Sequence, residues 1–357
     1  MNLYINNFLK NWPNCSELMF QVCKKNYFFF LKIVSYFLFI SALTNFLKIW
    51  AKNKNTDGVI IISLTEHIGD IIASEPISRY FKNNLNNKIV WVVNRKYSDF
   101  VKHNQSIDHL ICVDSMSEWT YLKRFLNVFK IKIVDLHVDQ NRCNKYFLTI
   151  KNPNSAGISI HNYYNFGNLL AVFCLTASVP ILKDTPRFYF PLNYQISDEN
   201  KVPFQNYVCL HTVSRERSRN WEIEKWNNLI NAYPDIMFVE LGLSSKLAPR
   251  TNCYNKHCGR ISFFDSAYIL KNALFFISID SSFAHIANAF NTPSLILLGK
   301  YSHFNSYMPY SGNFELPENA DIIHYERPAS EIPLELVVDR LSKKNIFKSS
   351  STFQYSK

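Results

Sequence analysis

The chain has 357 residues, of which 47% are hydrophobic, and carries a formal net charge of +11. That apolar content is enough for complete cores and excludes global disorder, while the length suits two domains. The positive balance calls for anionic partners; the lysines are spread rather than massed and no nucleic-acid-binding motif is visible, so phosphorylated substrates and an anionic lipid surface are expected and nucleic acid is not.

Residues 1–56 stand apart. Tyr27–Trp50 is rich in Phe, Leu and Ile, but its uncharged core lies between Lys32 and Lys48 and also holds Ser35, Ser41, Thr44 and Asn45. A spanning helix needs about 20 apolar residues. The flanking Lys24, Lys25, Lys52 and Lys54 suit a helix lying in the membrane surface with its lysines reaching the headgroups. A helix packed on the protein and a true span are the alternatives. A cleaved leader is not expected, because the apolar region starts late and no small-residue cleavage site follows.

A first α/β domain is expected over 57–190. Val59–Leu64, Lys88–Val93, His109–Val113 and Ile131–Leu136 read as buried strands, and Asp70–Phe81 as one helix. Strands alternating with helices imply a parallel sheet covered on both faces. The first motif, Ile60 to Pro76, runs strand, loop, Gly69-Asp70, helix. Gly69 permits a tight turn. Asp70 falls in the first helical turn, where the helix dipole favours its ionised form, so it can act as a general base; an N-capping aspartate is the plainer alternative. Glu66 and His67 share the loop. Asp135-Leu136-His137-Val138-Asp139 and Arg142 follow the fourth strand, and Arg95 and Lys96 the second.

Residues 183–206 hold Pro186, Pro191 and Pro203 among polar residues and read as a connector, with the linker at 191–206. A second α/β domain is expected over 207–328, with strands Tyr207–Leu210, Met237–Leu241, Phe275–Ile279 and Ser294–Leu298. Helices are expected at Glu224–Ala232, near Phe264–Asn272 and at Phe283–Phe290. The second motif, Leu210 to Trp221, places Thr212, Ser214, Arg215, Arg217 and Arg219 just beyond a strand end, as a phosphate site requires. Gly242 follows the next strand, with Ser244-Ser245-Lys246 after it and no acid for a ribose. Arg260 and Ser262 are weaker nucleotide-pocket candidates. Cys253 and Cys258, with His257 between them, invite a zinc reading; no second pair sits nearby, and buried thiols without metal are expected instead. The third motif is Phe275–Gly299. Asp280 ends one strand, Ser281 and Ser282 cap a short helix containing His285, Asn291-Thr292-Pro293 stops it, and a second strand ends at Gly299. It puts an acid, hydroxyls and free N–H groups at the carboxyl edge of a parallel sheet, where phosphates bind. Residues 329–357 read as a final helix, Ser330–Ser342, and a polar tail expected to fray.

The third motif resembles the carboxyl-terminal signature of glycosyltransferase family 9, the heptosyltransferases of lipopolysaccharide synthesis: Asp280, His285, Ala287, Ala289, Pro293 and Gly299 match, while Ser281 stands for Thr and Ser282 for Gly. The first motif resembles the family's strand, loop, Gly-Asp and Pro, and the second its Lys-x-Trp loop, with Arg219 in the Lys position. The resemblance implies a GT-B architecture, two doubly wound Rossmann-like domains facing across a cleft. It implies an inverting glycosyltransferase that moves a sugar, heptose first, from a nucleotide diphosphate donor to a lipid-linked surface glycan. Asp70 would be the catalytic base. Thr212, Ser214, Arg217, Arg219, Gly242, Asp280, Ser281, Ser282 and His285 would hold the donor, and Glu66, His67, Arg95 and Arg142 the acceptor. No cofactor and no metal are expected, since no Asp-x-Asp with the flanking pattern of a metal-dependent GT-A enzyme occurs. The expected location is the cytoplasmic face of the inner membrane, as a peripheral protein. Two other readings stay open: a sugar-nucleotide-binding protein that has lost turnover, and a family member using another donor for capsule or O-chain.

Overall fold

The computed structural model describes residues 29, 39–40, 42–48, 58–85, 87–127, 131–143, 149–300, 304 and 307–348. The apolar runs form two all-parallel sheets. The first has four strands, β1 (Val59–Ser63), β2 (Lys88–Asn94), β3 (His109–Val113) and β4 (Lys132–Asp135), in the order β3-β2-β1-β4. The second has six, β5 (Val208–His211), β6 (Phe238–Glu240), β7 (Cys253–Tyr254), β8 (Phe275–Ile279), β9 (Ser294–Gly299) and β10 (Ala320–Tyr325), in the order β10-β9-β8-β5-β6-β7. The helices are α1 (Ile68–Ala73), α2 (Glu75–Leu85), α3 (Ser98–Val101), α4 (Met116–Leu126), α5 (Leu169–Thr176), α6 (Ile223–Ala232), α7 (Phe263–Lys271), α8 (Ser282–Phe290), α9 (Leu334–Ser342) and α10 (Asn345–Lys348).

Each sheet is buried on both faces because successive side chains alternate across a strand. Ile60 and Ile62 of β1 pack with Ile77 and Phe81 of α2 and Phe173 of α5. Val59 and Ile61 point the other way, onto Trp119 and Leu122 of α4. In the second sheet Val208, Leu210 and Ile277 meet Trp226 of α6 and Val337 and Leu341 of α9, while Cys209, Phe276 and Ile296 meet Phe283 and Ile286 of α8.

Strand order reverses once in each sheet, between β1 and β4 and between β5 and β8. Connections leave in opposite directions at such a point and open a crevice at the carboxyl ends of the strands. Thr65 and His137 therefore flank one crevice, and Thr212 and Asp280 the other.

Two expectations need correction, and for the amino-terminal segment the packed alternative holds in part. The helix expected over Asp70–Phe81 is two helices, broken at Ser74: Pro76 has no N–H to continue the first ladder, and the Ser74 N–H closes it on the Asp70 and Ile72 carbonyls. Part of the amino-terminal segment is packed on the first sheet, with Ala42 and Phe46 fully buried against Val90, Val92 and Trp119, while Ile40 and Leu47 are exposed. The lysines at 24, 25, 32, 52 and 54 lie outside the described residues. Part of the stretch expected to fray is ordered instead: Phe347 of α10 is buried in the core of the second sheet against Tyr233 and Phe275, and residues 349–357 lie outside the described residues. No helix among the described residues is long and apolar enough to cross a membrane.

Candidate active site

The two crevices are brought together by helices α1 and α8. Gly69 lies flat on the second half of the chain: a Cβ there would come within 3.0 Å of Cδ2 of His285 and 3.6 Å of Cα of Ser282. Ile72, one turn on, is buried in the core formed by α7, α8 and the second sheet. The absence of a side chain at Gly69 thus allows the first and third motifs to touch.

Asp70 stands beside this contact. Its Oδ2 accepts from the backbone N–H of His67 at 3.3 Å and lies 3.5 Å from the His67 Nδ1. Burial pushes the Asp70 carboxyl up, but the hydrogen bond and charge of His67, with a further contribution from His285, outweigh it and hold the group below the ordinary carboxylate value. His67 moves the opposite way: the Asp70 hydrogen bond raises it above the usual imidazole value against an opposing burial effect. Glu66 Oε2 is 3.9 Å from the far side of the same ring.

Opposite Asp70, Arg219 points inward from the short turn Arg217–Arg219, and its Nη1 is 3.1 Å from Oδ2 of Asp280. The other Asp280 oxygen accepts from the Tyr310 hydroxyl at 2.6 Å. Burial first, and then the Asp280 charge and hydrogen bond, push the Tyr310 phenol well above its ordinary value. Tyr307 is raised by burial too, with Tyr163, Asp280 and Asp70 adding to the shift. His285 is lowered by burial, against the pull of Asp280 and Asp70, and its ring lies 4.9 Å from that of Tyr310. A cavity of about 390 Å³ opens from Arg219 and Asp280 along Gly299, Lys300, Tyr307 and Glu326.

The remaining candidates divide. Ser281 is the N-cap of α8, its carbonyl accepting from the Ala284 N–H at 3.1 Å while its hydroxyl takes no cap bond; that hydroxyl, 3.5 Å from that of Ser278, stands at the first turn, where Ser282 is the opening residue. Gly242 has φ +144°, a conformation that favours glycine, and backs onto the buried His211 ring. Thr212 is buried and donates to Glu240 Oε1 at 2.5 Å. Ser214 is engaged in its own turn, donating its N–H to Asn220 and accepting from the Glu216 N–H. Arg217 is exposed at the surface rather than turned inward. Arg95 pairs with Asp114 at 2.9 Å on the first sheet's edge, and Arg142 is exposed on a bridge to Thr149. Asp280 enters the site as the ion-pair partner of Arg219. Cys258 donates to the Glu240 carbonyl at 3.3 Å, and burial pushes the Cys253 and Cys258 thiols up to about 12.

Tyr307, Tyr310 and Glu240 escaped the sequence reading. The two tyrosines lie in an aromatic-rich stretch indistinguishable by composition from core. Glu240 sits in an apolar strand two residues before Gly242, whereas an acid was sought after it. Its carboxyl is buried and pushed up, with burial the leading cause.

Residues 183–320 match Glycosyltransferase family 9 (heptosyltransferase). A curated relative, lipopolysaccharide heptosyltransferase 3 of Escherichia coli, is 26% identical over 169 residues, which span 42% of this chain and 49% of that protein. The matched stretch is thus about half the length of that relative. Among solved structures, a family 9 glycosyl transferase from Veillonella parvula aligns with a TM-score of 0.55 at 14% identity, covering 79% of this chain and 95% of the other. The E. coli ADP-heptose lps heptosyltransferase II aligns at 0.54 with 15% identity, covering 80% and 97%. At these identities the structures speak for the fold, two Rossmann-like halves across a cleft. Residues 183–320 are thus similar to glycosyltransferase family 9, and the chain as a whole has a GT-B fold.

Proposed function

We propose that this protein is an inverting glycosyltransferase that moves a heptose from ADP-heptose to a lipid-linked surface glycan such as lipopolysaccharide core. The observation that carries the reading is the meeting of Asp70 with the Arg219–Asp280–Tyr310 group across the Gly69–His285 contact. In the reaction an acceptor hydroxyl gives its proton to Asp70 as its oxygen bonds to the anomeric carbon. The bond from that carbon to the donor phosphate breaks on the opposite face, and the electron pair leaves with ADP. Arg219 and the first-turn N–H groups of α8 stabilise the charge developing on the diphosphate. These groups supply the electrostatics without calling for a metal. The acceptor enters from the first half, past Glu66 and His67. The exposed Ile40 and Leu47, on a basic chain, lay the protein on the inner face of the cytoplasmic membrane.

The test is Asp70→Asn, with transfer from ADP-heptose to extracted glycolipid and ADP binding measured side by side. Transfer falls by about 10²–10⁴-fold, the usual contribution of a general base, while ADP affinity stays within about twofold. Undiminished transfer rejects the base; loss of ADP binding in the same variant rejects its assignment to the acceptor side.

A further inference from the structure

The polar side chains buried in the first sheet's crevice take no part in the step just described, yet they converge on a single backbone group. Thr65 is the first residue past the β1 ladder: the N–H of Leu64 still donates to the Val92 carbonyl at 3.2 Å, but that of Thr65 donates to Nε2 of His137 at 3.0 Å. The Thr65 hydroxyl lies 2.8 Å from the same nitrogen. An amide N–H requires an acceptor, so Nε2 carries no proton and the ring proton sits on Nδ1. Nδ1 is 2.6 Å from Oδ1 of Asp135, to which it donates.

Asp135 is held from every side. Ser63 donates to Oδ1 at 3.0 Å, and Trp119 Nε1 and Lys123 Nζ donate to Oδ2 at 3.0 and 2.8 Å. The Asn152 amide donates to the carbonyls of Asp135 and His137 at 2.9 and 2.6 Å, fixing the turn between them. Thr65, Asp135 and His137 are all buried. Burial alone would raise the Asp135 carboxyl, but the hydrogen bonds from His137 and Lys123, with the Lys123 charge, hold it far below the ordinary range.

What lies downstream gives this cluster its consequence. Glu66, His67 and Asp70 follow Thr65 within five residues, and α1, which carries Asp70, is six residues long. A helix that short has no stability of its own. Its entry is pinned at Thr65 and its outer face at His285, while Ile71 and Ala73 sit in the first core and Ile72 in the second.

We infer that Asp135 and His137 are positioning residues: they anchor the Thr65 backbone and so hold in place the loop that presents His67 and Asp70. Only the kinetic arm of the test rests on the reading of Asp70 as base.

The experiment compares the full-length protein with His137→Phe, which keeps a ring and removes both nitrogens, and His137→Gln, which returns an acceptor near the Nε2 position. Amide hydrogen exchange over 65–70, ADP affinity by calorimetry and transfer from ADP-heptose are read in each. His137→Phe speeds exchange over 65–70 by about tenfold or more, lowers kcat with the donor KM unmoved, and leaves ADP affinity within about twofold, since ADP belongs to the other half. His137→Gln recovers most of the protection and rate. Exchange unchanged in His137→Phe, or Gln as unprotected as Phe, overturns the inference. If His137→Phe does not fold, Lys123→Met at the cluster's edge decides instead: faster exchange over 65–70 upholds the anchor, and unchanged exchange overturns it. Exchange that responds in a protein with no transferase activity upholds the anchor and rejects the proposed reaction.

Discussion

Asp70 and His67 set one another's charge, and the signs lead to a pH prediction. The folded Asp70 value is depressed, so the stability it confers is present above the unfolded carboxylate value and is lost as pH falls through the folded one. His67 is raised, so its contribution is complete below the unfolded imidazole value and is lost as pH rises through the folded one. In His67→Ala the hydrogen bond and the cation go while the burial of Asp70 remains. The acid limb of the rate profile then moves to higher pH; an unmoved limb would show that His67 does not govern the base. On the other side of the cleft, Tyr310→Phe leaves Asp280 to Arg219 alone. Loss of a buried hydrogen bond to a charged group costs about 1.5–3 kcal/mol, to be read by urea unfolding, and ADP affinity falls with it because Arg219 is less well held. The motifs made Asp70, Arg219 and Asp280 candidates because each lies on the stretch that leads from a strand end into the next helix. The partners Tyr310 and Glu240 were not legible: a hydroxyl 30 residues from its carboxylate, or an acid inside an apolar strand, carries no local mark.

Strands were the easiest elements to foresee and the joins between them the hardest. A run such as Ile60-Ile61-Ile62 has one good solution, a strand buried on both faces, and β1 takes it. The α1–α2 pair was read as one helix because its apolar period continues through Ser74; the proline's missing N–H outweighs the period. That break matters, since it lets α1 lean on α8. Gly69→Val tests the contact. A side chain there must displace the buried His285, and overpacking of this kind costs about 1–3 kcal/mol, so the melting temperature and kcat should fall together; a wild-type melting temperature would place the helices further apart than described. The amino-terminal segment gives a second test. Phe46 is fully buried against the first sheet, so Phe46→Ala should destabilise the protein by about 3–5 kcal/mol in a urea titration. A change below about 1 kcal/mol would mean the segment sits elsewhere, since exposed substitutions rarely exceed that.

At the scale of the molecule, the two sheets are joined by a buried clasp and an aromatic seam. Glu75 of α2 accepts from Arg79, from the Tyr189 hydroxyl and from the Arg187 N–H, while Arg79 also reaches Asp184 and the Thr185 carbonyl. Phe100 from the first half stacks edge-on against Phe263 from the second, with centroids 4.7 Å apart. Arg79→Ala leaves Glu75 buried without its cation, and breaking such a pair costs about 3–5 kcal/mol; thermal unfolding should show the loss, and a change within error would remove the clasp from the fold's supports. The parallel core strands, the crevice-facing motifs and the family they resemble are legible in the amino-acid sequence, because they depend on hydrophobic period and on residues adjacent in the chain; the edge strands β7 and β10, short or half-polar, are not. Only the tertiary structure decided that Arg219 meets Asp280 rather than open solvent, that Gly69 is a contact point between halves, and that His137 anchors Thr65. Each of these joins groups from different strands, and their distances exist only once strand order has reversed and brought the two crevices face to face.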